Sequence, residues 1–383
     1  MQIYVHIPFC KRKCLYCDFN SYANCSHELI FSYLTALNRE IVLAGETFGK
    51  RGNNREITSI FIGGGTPSLL DVKAVENIFE NLKNHFEICE NAEITIEANP
   101  ESLTEEKLAA YKKCGVNRLS IGVQSLDDGN LQAVGRIHDV QTAKKAVNLA
   151  KKHFENVSCD LIVGLPFDTI ESVKSEVETL AKDVDHLSVY QLILEDGTPL
   201  GKMVEEGKIT LPDDDETIDL FNAANETLKN LGFSRYEVSN FARDGKYSRH
   251  NFGYWMREEY LGIGAGASSF LKPCPQIQNI ACETRFEREE DVEEYIASVE
   301  SAGDYFDIQR INVENLDEDD IKDEKIMLGL RTSKGVEKDL LTEEALEKFG
   351  KYFEEIEGRI RLNDAGFDVM NAILLDILKL QSR

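Results

Sequence analysis

The stretch "IYVHIPFCKRKCLYCDF", residues 3 to 19, joins a short apolar run to three closely spaced cysteines. Residues 3–7 have the β-branched, apolar composition of a strand. Cys10, Cys14 and Cys17 follow at once with the spacing C-x3-C-x2-C. A loop with this spacing can hold three sulfurs around one corner of an iron–sulfur cube, which leaves one iron open. The stretch therefore predicts a first strand that ends in a cluster-binding loop.

Other interpretations of these cysteines stay open. His27 could complete a Cys3His zinc site, or the thiols could be buried structural cysteines. Structural zinc sites usually pair two two-cysteine knuckles, and no second knuckle is present here. Cys25 lies eight residues beyond Cys17, which makes it a poorer fourth ligand than an open position. The cluster with an open iron is therefore the favoured interpretation.

The composition narrows the class of protein. The chain has 383 residues, enough for one large and one smaller domain, and it contains no run of ~20 apolar residues and no signal-peptide pattern. Lys and Arg number 43 against 68 Asp and Glu, and a net charge of -25 repels phosphate backbones and anionic membranes. We expect a cytoplasmic protein that binds no nucleic acid and whose membrane contact, if any, is peripheral and through a partner. Nine cysteines in a reducing compartment are available for metal chemistry.

From the N-terminus to about residue 195, apolar β-branched runs alternate with amphipathic helical patterns. The predicted strands cover residues 3–7, 57–63, 93–98, 118–123, 157–165 and 186–194. The predicted helices cover residues 28–44, 72–86, 104–113, 140–154 and 170–182. Six βα units imply an α/β fold with a parallel sheet, curled into a partial (β/α)6 barrel, in which ligand residues follow the strand ends. A doubly wound sheet is the competing arrangement.

After residue 200 the βα rhythm ends. A helix over 215–233 and a strand over "RYEVSNF" (235–241) are predicted, followed by a glycine-rich stretch, and the last ~70 residues read as helices around a short strand. We therefore expect a barrel core over 1–200, an α+β extension over 201–305 and a small helical or winged-helix-like domain over 306–383.

Polar residues and glycines follow the predicted strands. The stretch "GGGTP" (63–67) closes the second strand, and its glycines allow backbone to approach a ligand, whereas the Gly-Lys-Ser/Thr of a P-loop is absent. Arg136 can pair with a carboxylate. Carboxylate and amide oxygens at other strand ends can accept bonds from an ammonium or hydroxyls. These acceptors are Glu97, Gln124 and Asp160.

The stretch "GIGAGA" (262–267) fits the dinucleotide-binding pattern G-x-G-x-x-A. No apolar strand is predicted before it, and Pro273 would interrupt a following helix. Close backbone packing is therefore the preferred interpretation of these glycines.

The cysteine triad, with Tyr16 just before its third cysteine, resembles the signature of the radical S-adenosyl-L-methionine (SAM) superfamily. In that superfamily a 4Fe-4S cluster binds SAM at its open iron and cleaves the C–S bond of SAM to give a 5'-deoxyadenosyl radical. The resemblance implies cluster ligation by Cys10, Cys14 and Cys17. It also implies a shell around the cofactors, made of Tyr4, Tyr16, Gly64, Gly65, Thr66, Glu97, Gln124, Arg136 and Asp160.

Within the superfamily, "YVHIPFC", "GGGTP", "DLIVGLP" and "LGLRTSKGV" resemble the oxygen-independent coproporphyrinogen III oxidase (HemN-like) family over nearly the whole chain. The oxidase continues its motif as C-x3-C-x2-C-x-C, whereas Phe19 stands at that last position here, and the oxidase's N-terminal extension has no counterpart.

The stretch "RHNFGYW" (249–255) contains H-N-x-x-Y-W and resembles the heme-chaperone branch of the same family, HemW. That branch implies heme binding through His250, Tyr254 and Trp255, and delivery of heme to target proteins without decarboxylation of coproporphyrinogen. Imidazole is a common heme ligand, and aromatic rings can cover a porphyrin. A radical SAM enzyme of the oxidase type stays open as the alternative, so the sequence leaves enzymatic activity undecided.

Overall fold

The first strand of the chain lies within the large sheet and leads directly into the cysteine loop. The structure is a computed structural model, and it describes residues 1–50, 52, 55–277 and 279–381. Each strand predicted in the first half is present, with ends within three residues of the prediction, except that the strand predicted at 93–98 begins six residues earlier. These strands, with a short pair in the cysteine loop, are β1 (Gln2–Ile7), β2 (Phe9–Cys10), β3 (Tyr22–Ala23), β4 (Glu56–Gly64), β5 (Glu87–Ala98), β6 (Arg118–Gln124), β7 (Asn156–Val163) and β8 (His186–Gln191).

Helices connect these strands, and polar side chains cap several of their first turns. Asp71, Thr104, Asp139 and Thr169 each accept a bond from the backbone N–H three residues later, which satisfies a donor that a helix start leaves unpaired. The helices of this half are α1 (His27–Thr47), α2 (Val72–His85), α3 (Glu105–Cys114), α4 (Asp128–Ala133), α5 (Val140–His153) and α6 (Ile170–Leu180). The sequence did not predict α4, which is too short to show helical periodicity.

The order of the strands settles the architecture. Strands β1, β4, β5, β6, β7 and β8 are parallel neighbours in the order in which they occur along the chain. A doubly wound sheet would reverse this order at its centre. The partial (β/α)6 barrel is therefore confirmed, and the carboxyl ends of its strands meet at one edge.

The extension adds strands on both sides of the parallel set. Its elements are α7 (Pro199–Glu205), α8 (Asp214–Asn230), β9 (Ser234–Arg235), β10 (Asn240–Ala242), α9 (Arg249–Trp255), β11 (Tyr260–Ile263), β12 (Ser268–Leu271), β13 (Thr284–Arg288), α10 (Val292–Ser301) and β14 (Arg310–Asn315). The full sheet has the order β14-β13-β12-β11-β1-β4-β5-β6-β7-β8-β10-β9.

Two predictions in the extension were wrong. The strand over 235–241 is interrupted by a turn in which the Arg235 guanidinium donates to the carbonyl of Val238. A strand, β11, also precedes most of the glycine-rich stretch and pairs in parallel with β1. Gly262 lies within β11, and a Cβ there would come 2.1 Å from the carbonyl oxygen of Ser268, so these glycines do serve close backbone packing.

The last part of the chain has a core of its own. Its elements are α11 (Glu318–Gly329), β15 (Val336–Glu337), α12 (Glu343–Phe349), β16 (Phe353–Ile356), β17 (Arg359–Leu362), α13 (Asp364–Asp368) and α14 (Met370–Gln381). Its strands form a sheet of order β15-β17-β16, and its buried apolar residues run from Ile326 to Ile377. We call this part, from α11 to α14, the C-terminal unit. Strand β14 follows residue 306 in the chain but still pairs within the large sheet. The domain boundary predicted at 305/306 remains a prediction.

The two faces of β1 show why the barrel can hold a ligand. Ile3, Val5 and Ile7 are fully buried in the core that the strands form with the helices, where each contributes about 1.5–3 kcal/mol. Tyr4 and His6 point to the other face because side chains alternate along a strand. The interior is therefore lined with polar groups. Among the described residues, no helix is long and apolar enough to cross a membrane.

Candidate functional site

The cysteine loop is fixed at both of its ends. Cys10 ends β2, which pairs with β3 through Cys10 and Ala23. The backbone N–H of Leu15 donates to the carbonyl of Val134 at 3.0 Å, and the N–H of Cys17 donates to the carbonyl of Cys14 at 3.2 Å. These bonds hold the loop over the carboxyl ends of the parallel strands.

A pocket opens between this loop and the strand ends. It brings together most of the site residues predicted from the sequence, from six different strands and loops. Its lining includes Cys10, Cys14, Tyr16, Cys17, Gly64, Gly65, Thr66, Glu97, Gln124, Arg136 and Asp160. Tyr4, His250, Tyr254 and Trp255 do not line it. Phe19 also lines the pocket and is 69% exposed.

Several groups are placed to stabilise negative sulfurs. The Thr66 hydroxyl donates to Cys10 Sγ at 3.4 Å, and Arg136 Nη1 donates to Cys14 Sγ at 3.3 Å. A Cβ on Gly65 would lie 3.0 Å from Cys10 Sγ, so only glycine leaves this space free. Among the described residues, no three His, Cys, Asp or Glu side chains are placed to hold a single metal ion. A 4Fe-4S cluster needs only one thiolate for each iron, and the donors around these thiols fit its anionic ligands.

Glu97 and Asp160 bring carboxyl groups to the pocket. The backbone N–H of Gly64 donates to Glu97 Oε2 at 3.0 Å, and the Ser120 hydroxyl donates to Asp160 at 3.4 Å. Burial, with the nearby charge of Asp160, raises the pKa of Glu97 to about 8. Burial also raises the pKa of Asp160. A cationic ligand group would relieve the unfavourable proximity of these two buried carboxyl groups. Carboxyl groups with raised pKa values are common in functional sites.

Tyr4 lies inside the barrel, away from the cysteines. Its hydroxyl is 2.9 Å from His6 Nδ1, and its ring stacks with Phe61 at a centroid distance of 6.3 Å. Burial raises the pKa of Tyr4 well above its usual value, and the charge of Glu97 acts in the same direction. In this structure Tyr4 therefore packs inside the barrel near Glu97 and does not contact the cysteines.

Two polar residues of this region were not predicted from the sequence. Asn99 connects the two residues that donate to the cysteine sulfurs. Its Nδ2 donates to the Thr66 hydroxyl at 3.1 Å, and its Oδ1 accepts from Arg136 Nη2 at 2.9 Å. Its position directly after β5, in "EANP", was a usable signal. Arg118 is 2% exposed and acts electrostatically on Glu97, and its Nε has no hydrogen-bond partner among the described residues. A charged residue that begins a strand gave no sign of this role.

The segment around His250 forms the short helix α9 at the opposite end of the strands. The carboxylate of Glu93 accepts the backbone N–H bonds of Arg249 and His250, both at 3.0 Å. The imidazole of His250 is fully buried, with Nδ1 2.8 Å from the Ser59 hydroxyl and Nε2 2.8 Å from the Tyr254 hydroxyl. Burial lowers the pKa of His250 to about 3, so the ring is neutral. Both ring nitrogens are engaged in this conformation.

Tyr254 and Trp255 face a second cavity, which we call the lateral cleft. It lies between the barrel with its extension on one side and the C-terminal unit on the other. Its lining residues are Tyr190, Glu237, Val238, Ser239, Asn240, Asn251, Tyr254, Trp255, Leu328, Arg331, Met370 and Asn371. The structure thus separates the predicted heme residues from the predicted cluster residues.

Comparison with known proteins agrees with this geometry. A model of the Radical SAM superfamily matches residues 4–180, which hold the cysteine loop and the barrel from β1 to α6. A solved structure of coproporphyrinogen III oxidase (HemN) from Escherichia coli superposes with a TM-score of 0.79, and the match covers 98% of this chain and 89% of that one at 23% identity. The fold and the site thus define a protein of the radical SAM class.

Two relatives narrow this class. The heme chaperone HemW of Bacillus subtilis is 34% identical over 352 residues, covering 91% of this chain and 86% of that protein. The heme chaperone HemW of Lactococcus lactis is 34% identical over 389 residues, covering 97% and 95%. The chain belongs to the HemW family, as its H-N-x-x-Y-W stretch predicted.

Proposed function

We propose that this protein is a heme chaperone, which binds heme and transfers it to target hemoproteins. The observation that carries the proposal is its likeness, over nearly the whole chain, to two proteins that are heme chaperones by name. Phe19 at the mouth of the pocket supports it, because the side chain offers no sulfur where the resemblance places the oxidase's additional cysteine.

Within this proposal, Cys10, Cys14 and Cys17 hold a 4Fe-4S cluster, and SAM occupies the space beside it. The cluster, when bound, would supply the electron that cleaves the C–S bond of SAM. The chain's own part is to bind and orient. Arg136 meets the carboxylate of SAM, while Glu97 and the other oxygens of the pocket meet its ammonium and hydroxyl groups.

Arg136→Ala should weaken SAM binding roughly ten- to a hundredfold, because removing a charge-assisted contact costs about 1.5–3 kcal/mol. The iron content should not change, since Arg136 is not a cluster ligand. The spectrum of the reduced cluster should shift, because Nη1 donates to Cys14 Sγ. Anaerobic titration with SAM and iron analysis check both points. Equal SAM affinity in the variant and the wild type would show that the strand-end assignment is wrong.

The function itself is tested by two assays on cluster-loaded protein kept under anaerobic conditions. Heme should bind, as followed by its Soret band, and coproporphyrinogen III should not be converted above a no-enzyme control. Robust decarboxylation would instead establish the radical enzyme as the correct alternative. A failure to bind heme would contradict the chaperone.

His250→Ala should change the heme spectrum and weaken heme retention without changing the iron content. The replacement leaves the hydroxyls of Ser59 and Tyr254 unpaired in a buried place, at a cost of about 1–3 kcal/mol, and so loosens α9. In the structure, the imidazole could meet an iron only after Tyr254 had moved. His153→Ala is the matched control, because His153 lies at the end of α5, away from the cleft, and its ring nitrogen Nε2 bonds with Glu105. An unchanged spectrum in His250→Ala would place the iron ligand elsewhere.

A further inference from the structure

The lateral cleft has two unlike walls. The wall from the barrel and its extension carries the rings of Tyr190, Tyr254 and Trp255. The facing wall comes from the C-terminal unit, where Leu328 and Met370 present apolar side chains. Tyr190 is 40% exposed although its side chain is large and mostly apolar. An apolar, ring-lined cleft of this kind favours a flat aromatic ligand.

Arg331 supplies a positive charge on the wall of the C-terminal unit. Its Nη1 donates to the carbonyl of Met327 at 2.8 Å, and its Nη2 lies 3.5 Å from Asn371 Oδ1. Among the described residues, no carboxylate forms an ion pair with it. Burial lowers the pKa of Arg331, although a guanidinium stays charged at neutral pH. The cation is thus partly desolvated and has only neutral partners, which favours an anionic ligand group.

Glu237, the one carboxyl group among the described residues that line the cleft, does not pair with this cation. Glu237 is 2% exposed, and its Oε1 accepts the backbone N–H of Ser239 at 3.3 Å. Burial raises the pKa of Glu237, which favours its neutral form. The cleft therefore combines apolar and aromatic walls with the cation of Arg331 and with neutral polar side chains, which are Ser239, Asn240, Asn251 and Asn371.

We propose that the lateral cleft is the heme seat, with the macrocycle between the rings of α9 and the C-terminal unit and a propionate on Arg331. This inference rests on the proposed function, and it assigns part of the heme site to the C-terminal unit, outside the H-N-x-x-Y-W stretch. It also accounts for the position of Tyr254, whose ring lines the cleft while its hydroxyl contacts His250.

The proposed heme seat lies between the barrel with its extension and the C-terminal unit, and backbone bonds connect these two parts next to the cleft. Glu237 forms an isolated β-bridge with Thr332, the residue after Arg331, and the N–H of Ser333 donates to the carbonyl of Tyr236 at 2.9 Å. Val238 packs against the core of the C-terminal unit. Bound heme would therefore contact both sides of this junction.

The test compares hemin with hemin dimethyl ester, whose propionates carry no charge. Cluster-loaded wild-type protein should bind hemin at least about tenfold more tightly than the ester, as the loss of one charge-assisted contact implies. Arg331→Gln should remove that preference, mainly by weakening the binding of hemin. Arg359→Gln is the matched control, because Arg359 lies in the same unit but does not line the cleft, and it should keep the preference.

Leu328→Trp provides an independent variant, which fills the cleft without changing charge and should weaken hemin and its ester alike. If Arg331→Gln does not fold, as judged by circular dichroism, Leu328→Trp alone tests whether heme binds in the cleft. Wild-type protein that binds no hemin would overturn the proposed function together with this inference. Tight hemin binding in the wild type that neither Arg331→Gln nor Leu328→Trp alters would overturn the seat alone.

Discussion

Replacing Cys10, Cys14 and Cys17 together by alanine is expected to abolish the cluster. After anaerobic reconstitution, wild-type protein should contain four irons and four sulfides, as a 4Fe-4S cluster requires, and the triple variant should contain none above background. SAM should perturb the spectrum of the reduced wild-type cluster, because three thiolates leave one iron open. The fold should survive, since the loop is also held by the bond between Leu15 and Val134.

Cys25→Ala and Cys89→Ala are the matched controls for this experiment. Neither residue lines the pocket, and Cys89 instead contacts Glu56 at the start of β4. Both single variants should keep the full iron content and the response to SAM. Loss of the cluster from either control would make that cysteine a fourth ligand and remove the argument for an open iron.

The parallel part of the fold could be predicted from the sequence because its signals are local. Buried strands such as β6 and β7 are short β-branched runs, and amphipathic helices separate them. Strand ends then indicated which side chains would share an edge, and the pocket contains Gly64, Glu97 and Gln124 as expected. The rule works because parallel strands joined by crossover helices place all their carboxyl ends together.

The features that could not be predicted from the sequence depend on contacts between distant parts of the chain. Strand β11 has only four residues, one of them Gly262, and exists because its backbone pairs with β1 more than 250 residues earlier. His250 carried a recognisable motif, yet the sequence could not show that Ser59 and Tyr254 engage both of its nitrogens. Arg118 is buried at the start of β6, where a charged residue is ordinarily a solvated strand end.

Glu97→Gln is expected to weaken SAM binding roughly ten- to a hundredfold while leaving the iron content unchanged. The amide keeps the size of the side chain and can still accept the N–H of Gly64, but it carries no charge for the ammonium of SAM. This variant tests SAM binding more cleanly than Arg136→Ala, because Arg136 donates to Cys14 Sγ, whereas among the described residues no hydrogen bond joins Glu97 to a cysteine. Glu106→Gln, on the exposed face of α3, should bind SAM as the wild type does.

The same variant should change how stability depends on pH. In the unfolded chain this carboxyl releases its proton near its usual pKa of 4.5, whereas burial raises the pKa to about 8 in the folded protein. Between these values the folded state holds a proton that the unfolded state has lost, so the stability of the wild type falls as the pH rises, by up to about 1.4 kcal/mol per pH unit from this group. Glutamine cannot ionise, so the free energy of unfolding of Glu97→Gln, measured with urea in the absence of SAM, should exceed that of the wild type increasingly from pH 6 to pH 8. Parallel pH profiles for the two proteins would mean that Glu97 is already ionised in the folded protein, and that the pocket offers SAM a full negative charge before it binds.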